Sequence, residues 1–250
     1  MKKQIIALLI MLLIGLACWA DGVMINSYRY VTSGLCSSCT PGDPSDVFCE
    51  DFEGPRCSWT ESNTGSGDVN PQSTRNQSTM PCTSKGTYNA DFNITSASDE
   101  AYYKRAKSDT TSTYVQFYVY IESEGLADYD GITFLQLENS SGEMAGAVGI
   151  RQSGGSVYLA TYTNNWNTGP GVGSTALSTG TWYRIGVEYT KNTSKGLRVY
   201  LNGTEQAGCR TDTSTQATEN VVFGGGYKAA RYQIENIQVD DDTMPEACAQ

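Results

Sequence analysis

Between Thr181 and Thr204 apolar and polar positions alternate. Tyr183, Ile185, Val187 and Tyr189 interleave with Arg184, Gly186 and Glu188. A period of two predicts a strand with one buried and one wet face. Leu197, Val199 and Leu201 alternate in the same way with Arg198 and Tyr200, and the short polar link from Asn192 to Gly196 suits a hairpin. Asn202-Gly203 is a turn signal, because both residues tolerate positive φ. On the wet face, Arg184, Glu188 and Arg198 are placed for cross-strand ion pairing. The same period predicts strands at Val47–Glu53, Thr87–Thr95, Glu100–Ala106, Thr113–Ser123, Ile132–Glu138, Ala145–Gln152, Val157–Thr163, Asn220–Gly224 and Arg231–Asp240. No long helical pattern follows residue 20. The expected fold class is therefore all-β, with two antiparallel sheets stacked as a sandwich. Cys57–Cys82, rich in Ser, Thr, Asn and Gly, reads as a long loop held by a disulfide. Asn164–Gly173 reads as a loop carrying Trp166.

The first 20 residues break this pattern. Lys2-Lys3, an apolar run from Ile5 to Leu16 and Ala17-Cys18-Trp19-Ala20 form a secretion signal. The run is too short for a convincing membrane span. Cleavage after Ala20 would release a soluble chain, and Leu16-Ala17-Cys18 alternatively resembles a bacterial lipoprotein signal with Cys18 as the lipid anchor. Residues 21–46 form a polar leader, 47–242 one domain and 243–250 a tail. The net charge is −10 and there is no histidine. That balance argues against nucleic acid and anionic membrane surfaces as partners. It also makes a neutral glycan a more natural partner than a polyanionic one, unless a local basic patch overrides it. Beyond the signal stand Cys36, Cys39, Cys49, Cys57, Cys82, Cys209 and Cys248. In a secreted chain they are read as disulfides, with one left over. Cys36-Ser-Ser-Cys39 is structural on this reading, because Pro41 follows at once and no histidine is available to complete a metal site.

Three stretches carry a family resemblance. Thr181-Trp-Tyr-Arg-Ile-Gly-Val-Glu-Tyr189 with Arg198-Val-Tyr-Leu-Asn-Gly-Thr204 resembles the back-sheet hairpin of concanavalin A-like (laminin-G-like) jelly-roll domains. Phe48-Cys-Glu-Asp-Phe-Glu-Gly54 is similar to their first strand, and Tyr232–Asp240 to their last. The resemblance spans roughly Val47 to Asp242. It implies a jelly roll whose first and last strands are neighbours, which would bring Cys49 near Cys248. Cys57 with Cys82 is the next pair expected. It also implies that the concave sheet is the glycan site. The fold hosts lectins, glycosidases, polysaccharide lyases and adhesion modules alike, so it does not by itself fix a function.

Candidate chemistry follows from strand parity. Val115, Phe117, Val119 and Ile121 take the core side of their strand, which turns Tyr114, Gln116, Tyr118 and Tyr120 outward. By the same parity the next three strands show Phe134, Gln136 and Glu138, then Arg151, then Tyr158 and Tyr162. Aromatic rings stack on sugar faces, and amides, carboxylates and guanidinium groups bond paired hydroxyls. Gln116, Tyr118, Tyr120, Gln136, Glu138, Arg151, Tyr158 and Tyr162 are thus expected on one open face, with Trp166 at its rim. The competing account is that tyrosines are good strand formers whose outer face is covered by loops. Catalytic residues are not assigned. The Glu-x-Asp-x-x-Glu strand of retaining glucanases, which sets two carboxylates ~5 Å apart, is missing. Tyr227-Lys228-Ala-Ala-Arg231-Tyr232-Gln233 is loosely similar to a stretch of alginate-lyase-like jelly rolls, but the histidine base of those enzymes is lacking. No cofactor is required. A structural Ca²⁺ on Asp51 and Asp240 is considered against a plain acidic turn at Asp240-Asp241-Asp242. The expected function is a secreted carbohydrate-binding module acting at a cell surface or matrix. The alternatives are a polysaccharide lyase or glycoside hydrolase of the same fold, and an adhesion module that binds protein.

Overall fold

The computed structural model describes residues 46–50, 52, 59–81, 87–163, 171–194, 196–212, 216–226 and 228–245. The signal, the leader up to residue 45, Asp51, Cys57, Cys82, Trp166 and Cys248 lie outside the described residues. So does the side chain of Cys49, and with it both expected disulfide pairs.

Among the described residues fifteen strands follow in chain order: β1 (Asp46–Glu50), β2 (Trp59–Thr64), β3 (Asp68–Ser73), β4 (Asn89–Ile94), β5 (Glu100–Thr110), β6 (Ser112–Glu124), β7 (Gly131–Glu138), β8 (Met144–Ser153), β9 (Ser156–Thr163), β10 (Gly171–Leu177), β11 (Trp182–Thr190), β12 (Leu197–Leu201), β13 (Thr204–Glu205), β14 (Thr218–Gly226) and β15 (Ala230–Asp240). Among the described residues there is no α-helix, only short 3₁₀ turns, and no helix long and apolar enough to cross a membrane. One sheet has eight strands in the order β13-β12-β11-β6-β15-β4-β3, with β1 also on β15. The other has seven, β10-β9-β8-β7-β14-β5-β2. All pairings are antiparallel.

The sheets close on one core. Phe117 of β6 meets Phe223 of β14 edge to face at 5.2 Å, and Tyr232 of β15 meets Phe134 of β7 at 4.9 Å. The hairpin read from the sequence is β11–β12, with Val187 opposite Val199 and Arg198 bonded to Glu188 at 3.4 Å. Asn202 and Gly203 turn the chain into β13 with φ of 51° and 86°. A Cβ at Gly203 would also come within 2.5 Å of the Arg184 guanidinium. The first and last strands are neighbours: β1 runs along β15, with Cys49 opposite Gln238.

Three expectations are corrected. The stretch read as one long loop contains β2, β3 and a 3₁₀ turn at Gln77–Thr79. Both strands are short and polar, each with one sheet neighbour, so little apolar alternation marks them. The Asn164–Gly173 loop reading ends too late, because β10 starts at Gly171. Phe134, expected on the outer face, is fully buried. A bulge between Thr133 and Leu135 flips the parity of β7, so Phe134 and Leu135 both enter the core.

Candidate functional site

The order of strands divides the residues that parity placed together. β6 lies in the eight-stranded sheet and β7, β8 and β9 in the seven-stranded one. Gln116, Tyr118 and Tyr120 therefore do not share a face with Gln136, Glu138, Arg151, Tyr158 and Tyr162.

The β6 group is covered. Residues 74–81 fold over the part of the outer face of the eight-stranded sheet that carries Tyr118, Tyr120 and Trp182, while Gln116, Glu188 and Tyr200 border a hollow beside Met244 and Pro245. Tyr118 is 2% exposed and packs with Met80, Trp182 and half-buried Tyr120. The Trp182 indole donates to the Asn76 carbonyl and to Thr79 Oγ1, both at 3.2 Å. Asn76 donates to Gln233 Oε1 at 2.9 Å, and Arg75 forks onto Glu122. Gln116 is buried and donates to Gln238 Oε1 at 3.3 Å. Arg231 grips Asp91 alongside, at 3.1 and 2.5 Å. Around Tyr118 this face is a packed polar layer, and the loop-cover account holds there.

The outer face of the seven-stranded sheet is open. Gly149 lies between Thr133 and Ala160, and Ala147 between Gln136 and Tyr162. Ala147 and Ala160 are buried beneath larger side chains. A Cβ at Gly149 would lie 1.9 Å from the Ile132 carbonyl oxygen, so no larger residue fits there. This face carries a groove of about 910 Å³ lined by Tyr102, Tyr129, Thr133, Gln136, Arg151 and Tyr162, with Asp130, Glu143 and Gln216 on its walls. Glu138 is on this sheet but is held by Lys104 at 2.6 Å. Tyr158 is half-buried one strand outside Arg151, opposite it in register.

Tyr129 dominates one rim. It is 68% exposed, the one exposed large hydrophobic side chain among the described residues, and its φ is 71°. A non-glycine residue in the left-handed region costs of order 1 kcal/mol and persists where its surroundings over-determine it. Here they do. Tyr129 N–H donates to the Gln152 carbonyl at 2.9 Å, and Gln152 N–H returns to the Asp130 carbonyl at 3.0 Å. Asp130 accepts from Ala127 N–H at 3.1 Å and pairs with Lys228 at 2.9 Å, while Asp128 accepts from Gly154 N–H at 2.7 Å. Arg151 Nε donates to the Tyr129 carbonyl at 3.3 Å, and its guanidinium carbon lies 5.2 Å from the Tyr129 ring centroid. Across the groove, the Asn139 amide donates to Glu143 and Gln216 at 2.8 and 2.7 Å, and Gln216 donates to Glu143 at 3.1 Å.

The electrostatics favour binding groups over reactive ones. Burial pushes the Tyr162 phenol up to about 12, against the opposing field of Arg151, so its hydroxyl is neutral in physiological solution. It is not poised as a phenolate base. The Lys228 partner, with help from Ala127 N–H, holds Asp130 below the usual carboxylate range. Tyr232, the tyrosine of the lyase-like stretch, is 1% exposed in the core and stacks on Phe92 at 5.1 Å. Its hydroxyl donates to the Thr133 carbonyl at 3.3 Å. It therefore lies beneath the groove floor. Asp240 is buried and its Oδ1 accepts from Asp242 and Thr243 N–H at 2.6 and 3.2 Å, bracing the turn. No group of three or more His, Cys, Asp or Glu residues suited to a metal occurs among the described residues.

Tyr102 and Tyr129 escape the parity reading. Tyr102 sits in a strand whose outer face was not connected to this groove, and Tyr129 sits in a loop, where no periodicity exists. The available signal for Tyr129 was an aromatic residue inside the turn-forming stretch Asp128-Tyr-Asp-Gly131.

No protein-family model matches the chain, and neither does any curated protein. Solved structures do. The cellulose-induced protein Cip1 superposes with a TM-score of 0.60 at 14% identity, over 81% of this chain and 100% of that one. An endo-β-1,4-glucuronan lyase from the fungus Trichoderma reesei gives 0.55 at 12% identity, over 78% and 95%. A carbohydrate esterase from the Shiga toxin-encoding bacteriophage phi24B gives 0.54 at 12%, over 78% and 100%. At these identities the likeness establishes the fold, a jelly-roll β-sandwich.

Proposed function

We propose that this chain binds carbohydrate, laying a glycan across the outer face of the seven-stranded sheet with Tyr129 as its stacking platform. The observation that carries this reading is Tyr129 itself: an exposed ring, held in a strained conformation by its neighbours, at the rim of a groove. Sugar rings offer apolar C–H faces to such a ring and paired hydroxyls to Gln136, Thr133 and the Asn139–Glu143–Gln216 wall. The names of the similar structures, a cellulose-induced protein, a glucuronan lyase and a carbohydrate esterase, support a carbohydrate-related role. The signal read in residues 1–20 would carry the module to where extracellular glycans are met.

The test is affinity electrophoresis and calorimetry over a panel of soluble polysaccharides. Tyr129→Ala should weaken binding roughly tenfold, the equivalent of about 1.4 kcal/mol of stacking, with the Tm nearly unchanged. A panel without any binder, or unaltered affinity in Tyr129→Ala, overturns the proposal.

A further inference from the structure

We infer that the Tyr129 end of the groove is a subsite for one sugar carboxylate carried on an otherwise neutral glycan, with Arg151 as its recognition residue. This rests on the glycan-groove reading and adds a charge requirement to it.

Cations are the minority in this chain, 17 against 27 carboxylates. Seven of them are engaged in ion pairs: Arg75 with Glu122, Lys104 with Glu138, Lys107 with Asp241, Arg198 with Glu188, Arg210 with Glu205, Lys228 with Asp130 and Arg231 with Asp91. Arg151 lines the groove, and among the described residues no carboxylate pairs with it. Its Nε is tied to the Tyr129 carbonyl and its guanidinium plane rests near the Tyr129 ring. That leaves the terminal nitrogens of the fork without a bond to another described residue. A guanidinium so held is pre-oriented, and its two parallel N–H groups match a carboxylate. The neutral Tyr162 hydroxyl lies within the electrostatic reach of the same guanidinium.

The remaining lining limits how much negative charge can enter. Asp130 and Glu143 stand on the walls, already engaged by Lys228 and by the amides of Asn139 and Gln216. A polyuronate brings a carboxylate on every ring. One could meet Arg151, while the others would pass Asp130 and Glu143 in a strongly acidic protein. A single acidic residue, either a uronic acid branch or a terminal sialic acid, meets the cation without that repulsion.

The experiment uses matched pairs measured by calorimetry. One pair is a xylo-oligosaccharide bearing one glucuronic acid and its carboxyl-reduced form; the second is sialyllactose and its carboxyl-reduced form. Polygalacturonate serves as the densely charged comparison. At least one acidic member should bind roughly tenfold or more tightly than its reduced partner. Raising salt from about 0.05 to 0.5 M should shrink that difference. Arg151→Gln should erase it with the Tm unchanged, and Arg151→Lys should keep part of it. Which pair responds identifies the source of the carboxylate. Equal affinities within both pairs, a preference that survives Arg151→Gln, or tighter binding of polygalacturonate overturns the inference. If the neutral members bind through Tyr129 without an acid preference, the anion subsite falls and the glycan groove stands. If no probe and no polysaccharide binds, both fall.

Discussion

Gly131 lines the groove beneath the Tyr162 hydroxyl. A Cβ there would lie 2.4 Å from the Tyr162 hydroxyl and 2.9 Å from the Ile150 carbonyl oxygen. Gly131→Ala must therefore push the phenol aside or bend β7. It should cost about 1–3 kcal/mol in urea unfolding and weaken glycan binding together, as overpacking does. Cys209 acts on stability instead. Its thiol is buried, donates to the Leu159 carbonyl at 3.3 Å, and is pushed by burial up to about 12. A raised value means that the neutral form is favoured in the folded state. The resulting stability is fully present below the ordinary thiol range and is lost as pH climbs through the window up to about 12, at ~1.4 kcal/mol per pH unit. Unfolding free energies measured between about pH 8 and 11 should fall, and Cys209→Ala should remove that part of the slope. A thiol reagent should reach Cys209 only after unfolding.

Two aromatic residues separate the elements by role. Tyr118 on β6 and Tyr129 in the 125–130 loop are the same residue type in opposite settings, one sealed and one exposed. Tyr118→Ala should cost about 3 kcal/mol of stability and leave any glycan affinity unchanged, the reverse of Tyr129→Ala. Parallel melting and binding measurements on both variants check the contrast. The 125–130 loop carries its own pH dependence. Because Lys228 depresses the Asp130 carboxyl, the pair persists above the usual carboxylate range and breaks only as pH falls through the depressed value. Glycan binding should be flat from about pH 8 to 5 and fail well below 4. In Lys228→Met the loss should move to higher pH, read from binding constants across a pH series.

At the scale of the molecule, the two sheets stand or fall together. β1 seats Phe48 against Trp59 at 5.5 Å, tying the eight-stranded sheet to the edge of the seven-stranded one. Phe48→Ala should cost about 3–5 kcal/mol. The groove should melt with the rest of the sandwich, so fluorescence and circular dichroism should report coincident transitions.

Strand positions, the β11–β12 hairpin and its Asn-Gly turn were legible in the chain because the pleat repeats every two residues and turn chemistry is local. The same periodicity separates inside from outside for Phe117, Val119, Leu137 and Ile185. It carries no information on which sheet a strand joins. β6 and β7 follow one another in sequence yet lie in different sheets, so Tyr118 and Gln136 face opposite sides of the sandwich. Residues 74–81 cover the Tyr118 part of one of those faces through contacts made across a hundred or more positions, as between Asn76 and Trp182. The bulge at Phe134 and the φ of Tyr129 are likewise set by neighbours distant in sequence. Local chemistry determined the strands and most of the core. Sheet membership, the covering segment and the exposed ring at the rim were decided by tertiary structure, because each depends on long-range pairing that no window of the chain contains.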